Sequence, residues 1–221
     1  VIQFIIGASE HLLLGSSIRI TGDFIVNIDT TPTVAITTDA VNMDNKTGVY
    51  STFDQLVIKN HSQFATIEHI KNYNRFMASY LPVSSSIEDT MGHFGNTALT
   101  MPNYNLMKTK VVNSSAPAGL GEKKSFSVHL PSGFLLGQQP IYLGSNGING
   151  LVLEIHLSPD NNVLFSNLAN PSAADISAIL DAYYEFSNLK LTAELVTPDP
   201  ATLAQLQTAK GQTYQYNSVA S

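Results

Sequence analysis

The sequence predicts an all-β fold, one antiparallel sandwich occupying most of its 221 residues. Three observations predict it. Side-chain polarity alternates with period two in several separate segments, turn-forming clusters separate nearly all of them, and composition does not break before about Thr197. Many short alternating segments so punctuated describe a sandwich or a barrel.

The clearest alternation runs from Ile18 to Ile28, with Ile18, Ile20, Phe24, Val26 and Ile28 on one parity and Arg19, Thr21, Asp23 and Asn27 on the other. A strand places those two sets on opposite faces. Gly22 interrupts the apolar set and predicts a bulge or bend. Phe126, Val128 and Leu130 alternate with Ser125, Ser127 and His129, and Leu151, Leu153, Ile155 and Leu157 alternate with Glu154 and His156. A last strand is expected from Tyr183 to Val196, with Leu189, Leu191, Ala193 and Leu195 opposed to Lys190, Thr192 and Glu194. Shorter strands are expected at Gln3–Ile6, Thr33–Thr37, Gln55–Lys59, Leu106–Val112 and Val163–Phe165. Turns fall at Asp29–Pro32, Asn45–Gly48, Pro131–Gly133, Ser145–Gly147 and Ser158–Asn161.

Three helices look insertional. Phe64–Tyr80 carries Ile67, Ile70, Phe76, Met77 and Tyr80 at roughly helical spacing, and Ser172 to Asp175 reads as a cap opening a helix through about Leu180. Asp199-Pro200 reads as an N-cap followed by Pro at the first helical position, with Leu203 and Leu206 on one face and Gly211 as the stop. The expected division is a sandwich over 1–196, then a short helix and a linker or tail over 197–221.

Charged residues make up 13% of the chain, about half the usual quarter. A surface so poor in charge is expected to meet other protein. The net charge of −6 supplies no basic field for phosphates, so direct nucleic-acid binding is not expected. There are no cysteines, which excludes disulfides and thiolate metal sites. Asn45, Asn60 and Asn113 open glycosylation triplets that matter only after secretion. The N-terminus shows no signal-peptide pattern. It starts without Met inside an apolar stretch, which reads as a piece of a longer polypeptide.

The search for chemistry is nearly empty, and no catalytic, cofactor or metal residue is assigned. No nucleophile elbow or Walker loop occurs, and Gly119-Leu-Gly121 reads as a surface loop. Among His11, His61, His69, His93, His129 and His156 none has the spacing that puts two ligands on one helical face. His129 and His156 would form a pH-sensitive or metal pair only if their strands were neighbours. Asp39, Asn42 and Asp44 resemble an oxygen-ligand loop without its Gly and closing Glu, and read as a solvated turn. Asp23, Glu154, Glu185 and Glu194 would offer paired carboxylates only on facing strands. Tyr73, Phe76, Tyr80, Tyr183, Tyr184 and Phe186 suit a core or interface better than a stacking platform.

The order of segments carries a family resemblance. Ser17-Ile-Arg-Ile-Thr-Gly-Asp-Phe24 is followed by Gly48-Val-Tyr-Ser-Thr-Phe-Asp-Gln-Leu-Val-Ile58, Ile67-Glu-His-Ile-Lys-Asn-Tyr-Asn-Arg-Phe-Met77 and Ser86-Ile-Glu-Asp89. Then come Ser125–Leu135, Gln139-Pro-Ile-Tyr-Leu143, Gly150–Leu157 and Tyr184–Glu194. This set resembles the N-terminal jelly roll of double-jelly-roll viral major capsid proteins, of the virophage and polinton-like virus type. The resemblance, over about Gln3 to Val196, implies an eight-stranded jelly roll with a helical excursion around Glu68, Tyr73 and Arg75. It implies a structural protein rather than an enzyme, forming homotrimeric capsomers that contact neighbouring capsomers and other capsid proteins in an icosahedral virion, assembled in the host cytoplasm or nucleus. It implies no cofactor. The chain departs from the family in length, since a second jelly roll would have to follow residue 221; a single-jelly-roll penton or minor capsid protein is the alternative within this class. Outside it, a carbohydrate-binding sandwich is the main alternative, because the same fold class hosts sugar sites.

Overall fold

Seventeen residues, Leu12–Ile28, form the longest strand, β2, around which one of two sheets is arranged. Its apolar parity supplies Ile18, Ile20 and Phe24, each 1% exposed. The computed structural model describes residues 1–28, 42–43, 47–84, 124–137, 139–165, 173, 182–209 and 211–218. The remaining strands are β1 (Ile2–Ile6), β3 (Asn42–Met43), β4 (Phe53–Asn60), β5 (Thr66–Ile70), β6 (Lys124–His129), β7 (Ile141–Tyr142), β8 (Leu151–Leu157), β9 (Leu164–Phe165) and β10 (Ala182–Val196). A 3-10 turn (Gly48–Thr52) and helices α1 (Tyr73–Ser84), α2 (Asp160–Val163) and α3 (Pro200–Thr208) complete the described elements.

The first sheet has the order β1-β8-β4-β5, and the second β10-β2-β6, with β7 pairing the start of β2. A two-residue ladder joins β3 to β9. Among the described residues every pairing is antiparallel. Both sheets feed one apolar cluster, the arrangement of an all-β sandwich. Phe186 of β10 joins the two layers: its ring lies 5.6 Å from Phe24 of β2, 5.5 Å from Phe126 of β6 and 6.3 Å from Phe53 of β4. Inner strand β8 buries Leu151, Val152 and Leu153 completely, so its apolar run is covered on both faces.

The expected bulge at Gly22 exists, but the extra residue sits on the partner strand. Ser187 pairs Asp23 and Lys190 pairs Thr21, so Asn188 and Leu189 together oppose Gly22. Asn188 takes the left-handed conformation that such an insertion requires (φ 54°). A Cβ on Gly22 would stand 2.7 Å from Leu189 Cδ2. A second register shift, between Thr192 and Glu194, coincides with the departure of Leu195 from the expected apolar face; it is 48% exposed.

The helix expected over Phe64–Tyr80 is corrected to a strand followed by a helix. Thr66–Ile70 is β5, and α1 begins only at Tyr73. The three-residue spacing of Ile67 and Ile70 imitates a helix, yet the buried residues are Glu68 and Ile70, two apart. Left-handed Phe64 (φ 52°) and Asn72 (φ 50°) bracket the segment and detach it from α1, while Thr66, Ile67 and Ile70 favour extended backbone. Helix α1 buries Tyr73, Met77 and Leu81 at four-residue spacing. The Asp199 cap forms as expected, its carboxylate accepting from the Ala201 and Thr202 N–H groups at 3.0 and 3.1 Å. Helix α3 ends at Thr208, before the expected stop at Gly211. The expected elements at Thr33–Thr37 and Leu106–Val112, and the helix through Leu180, lie outside the described residues.

Glu68 joins the layers along one side. It is 2% exposed, and its carboxylate accepts the Gly133 and Phe134 N–H groups, at 3.2 and 2.9 Å, from the loop that follows β6. Strand β5 therefore lies alongside β6, leaving β1 and β10 as the edges of the opposite side. Removing a buried charged acceptor strands its donors without water. Glu68→Ala is expected to lower stability in urea unfolding by about 1–3 kcal/mol, with Glu68→Gln losing less. Two variants indistinguishable from the parent would show that the loop holds itself.

Candidate functional site

Among the described residues, polar chemistry is organised on the outer face of the first sheet and along the C-terminal segment strapped across the loop after β6. On the outer face, directly opposed and diagonal positions meet across strands. Glu154 of β8 accepts from Lys59 Nζ of β4 at 2.6 Å and from Gln3 Nε2 of β1 at 3.2 Å. Beside them, His69 Nε2 and Gln55 Oε1 lie 2.9 Å apart. These bonds tie neighbouring strands to one another, and Glu154 is engaged by a cation rather than opposed to a second carboxylate.

The other candidate residues do not converge. His129 belongs to the second sheet, opposite Arg19, and His156 to the first, opposite Gln55, so the conditional histidine pair does not form. His11 Nδ1 is buried without a hydrogen-bond partner, and the His61 ring rests 6.3 Å from Phe64. Among the described residues no cluster of three His, Asp or Glu side chains could hold a metal. Asp23 accepts from Ser125 and Asn188, on the opposite sheet from Glu154. Glu185 and Glu194 pair along β2 opposite Ile25 and Leu14. Asn60 is engaged on both side-chain atoms, by Ile148 O and by the Ser62 and Gln63 N–H groups. Asp39, Asp44, Asn45, His93, Asn113 and Gly119–Gly121 lie outside the described residues, and Asn42 forms part of β3.

Tyr73, Phe76, Tyr80, Tyr184 and Phe186 pack against other rings. Tyr73 is fully buried and donates its hydroxyl to Pro131 O at 3.0 Å. Phe76 stacks on Tyr80 with centroids 5.4 Å apart, and Tyr184 stacks on Phe24 at 5.8 Å.

The strap was not legible as such. Residues 211–218, expected within an irregular tail, place Tyr214 and Tyr216 on the same side at period two. Both rings meet the edge or face of Phe134, at 6.2 and 5.3 Å. The Tyr142 N–H donates to the Tyr214 hydroxyl at 2.9 Å, and Tyr216 donates to Ile67 O. The alternation in Tyr214-Gln215-Tyr216 was the available signal. Gly133 permits this contact, because a Cβ there would lie 1.8 Å from Asn217 O. At the other end of the segment, Tyr142 donates to Glu10, which also accepts from Gln207 of α3 at 3.2 Å. These bonds hold the Glu10 carboxyl below its ordinary range, while burial, reinforced by Glu10, pushes the Tyr142 phenol up to about 12.

Two outcomes follow. Gly133→Ala is expected to lift the strap, raising amide exchange over 211–218 by about tenfold or more while the β8 amides stay protected; unchanged exchange would refute the close approach. Burial also raises the phenols of Tyr50, Tyr73, Tyr184, Tyr214 and Tyr216 above the ordinary value. The unfolded chain then loses these protons first. Stability is expected to be intact below about pH 10 and to fall as pH rises above it, with tyrosinate absorbance appearing together with unfolding. Smooth ionisation of a chain that stays folded would contradict this.

No protein-family model matches the chain, and neither a curated protein nor a solved structure matches it.

Proposed function

We propose that this chain is a jelly-roll module of a viral shell, a structural protein that associates into trimeric capsomers and turns over no substrate. The observation that carries the reading is the nesting of strand pairs. β4 pairs with β5, β2 with β6 and β1 with β8, each pair enclosing the previous one in sequence. A long hairpin rolled into two sheets would give nested pairs of this kind, and this supports the jelly-roll reading.

Surface composition supports self-association. Charge is sparse, and Val1, Ile5, Leu136, Leu195 and Val196 are 77%, 57%, 44%, 48% and 44% exposed. Obligate interfaces are large and apolar at their centres. The resemblance in segment order points to the major capsid class and to a place in the virion.

Light scattering coupled to size exclusion tests this directly. A mass of three chains that persists on dilution is the expected result. A monomer at every concentration would overturn the reading, a five-chain particle would move the protein to a penton role, and selective glycan binding by a monomer would favour a lectin.

A further inference from the structure

The loop between β7 and β8 contains Asn-Gly twice, as Asn146-Gly147 and Asn149-Gly150. In this dipeptide no side chain shields the glycine nitrogen, which can therefore reach the asparagine Cγ. Packing requires both glycines. Gly144 O accepts the Gly147 and Asn149 N–H groups at 2.9 and 3.1 Å, and Tyr142 O accepts the Ile148 N–H at 3.0 Å, so the loop wraps Tyr142 closely. A Cβ on Gly147 would collide with Tyr142 O, and one on Gly150 (φ 84°) would lie 2.8 Å from Ile6 O. The fold thus imposes a labile dipeptide at both places.

The two differ in what ring closure must disturb. Gly150 is buried, and its carbonyl accepts the His61 N–H at 3.1 Å where β8 is about to begin at Leu151. Turning that peptide would open the end of the first sheet. Asn146 and Gly147 are half-buried beside exposed Ser145, and the Gly147 N–H is held by a bond within the turn itself. Opening a loop tip of this kind lies at the low end of local unfolding costs.

Asn146 also joins two parts of the molecule. Its Nδ2 donates to Gln207 O in the last turn of α3, while Gln207 Nε2 donates to Glu10 at 3.2 Å. Helix α3 buries no residue and carries no basic residue in its last turn, so these polar bonds matter to its docking. An acid at position 146 would turn a donor into an acceptor facing a carbonyl oxygen. It would also bring a second carboxylate to the residue that Glu10 already holds, at the negative end of the helix dipole. Both changes are repulsive.

We propose that Asn146-Gly147 is a self-processing deamidation site whose conversion unlatches α3 and the strap that follows it. The deprotonated Gly147 nitrogen attacks Asn146 Cγ and forms a C–N bond. The Cγ–Nδ2 bond breaks, and ammonia leaves with a proton that replaces the one lost by the backbone amide. Water then opens the cyclic imide. Opening at Cγ restores the main chain with aspartate, whereas opening at the main-chain carbonyl leaves isoaspartate and lengthens the turn by one methylene. The chain gains one negative charge, and water is the sole co-reactant. The site stands on the loop and helix contacts, whether or not the protein builds a shell.

Ageing of the intact protein at mildly alkaline pH, followed by anion exchange and peptide mapping, tests the site. Acid is expected at position 146 at a rate about tenfold or more above position 149, in keeping with the cheaper local opening. Equal conversion at both positions, or none at 146, would overturn the proposal. The isolated acidic fraction is expected to exchange its amides over 211–218 about tenfold or more faster than the parent, with the β8 amides still protected. Parental exchange in that fraction would overturn the unlatching. This fraction folded before it changed, so the result is free of any folding defect in a variant. Asn146→Asp is expected to reproduce the faster exchange and to be partly corrected by salt, whereas Asn146→Ala, which loses the donor without adding charge, is expected to give a smaller, salt-insensitive effect. An Asp variant that exchanges like the Ala variant at every salt concentration would overturn the part assigned to repulsion.

Discussion

The contacts of Phe186 hold the architecture together. This ring belongs to an edge strand, yet it touches aromatic side chains from β2 and β6 in its own sheet and Phe53 from the facing one. The contacts with Phe24 and Phe126 are edge-to-face, which fixes both separation and orientation because the positive edge of one ring seeks the negative face of another, while the Phe53 ring lies tilted at 41°. The bulge at Asn188 follows directly after it. Without the extra residue, the side chains beyond would fall on the wrong face, since a one-residue slip in a strand reverses every position that follows. The insertion opposite Gly22 instead lets Phe186 and Leu189 both point inward, three residues apart, and keeps Lys190 to Thr192 paired with Thr21 to Arg19 until the second shift.

The strand framework was largely legible from alternation. Ile18, Ile20 and Phe24, then Phe126 and Val128, lie where their parity places them, because one-sided burial enforces the period, and Leu151, Leu153 and Ile155 do so on a strand whose Val152 is buried as well. What was hidden depended on partners distant in sequence. Glu68 looked like the polar side of an amphipathic helix, and only the N–H groups of a loop 65 residues away make it a buried residue. The strap was hidden for the same reason, since Tyr214 and Tyr216 have no meaning until Gly133 clears room for Asn217. Among the described residues, the polar candidates Glu154, Lys59, Gln3, His69 and Gln55 bind one another across strands.

The polar groups that do cluster share a role. Glu154 with Lys59 and Gln3, His69 with Gln55, and Glu10 with Tyr142 and Gln207 each bridge two or three elements. A surface on which polar side chains pair laterally, with little charge left over, presents apolar positions such as Ile5 without competition from a hydrated fringe.

The pairing of β2 with β10 has a mechanical side. At about 3.3 Å per residue the 17 residues of β2 reach roughly 55 Å, and β10 accompanies them from Ile28 to Leu12. Force applied along the strand axis loads the whole ladder in shear, so its cross-links must yield together. Force applied across it peels them one after another. The protein is therefore anisotropic, stiff to stretching along this ribbon and compliant to opening at its ends.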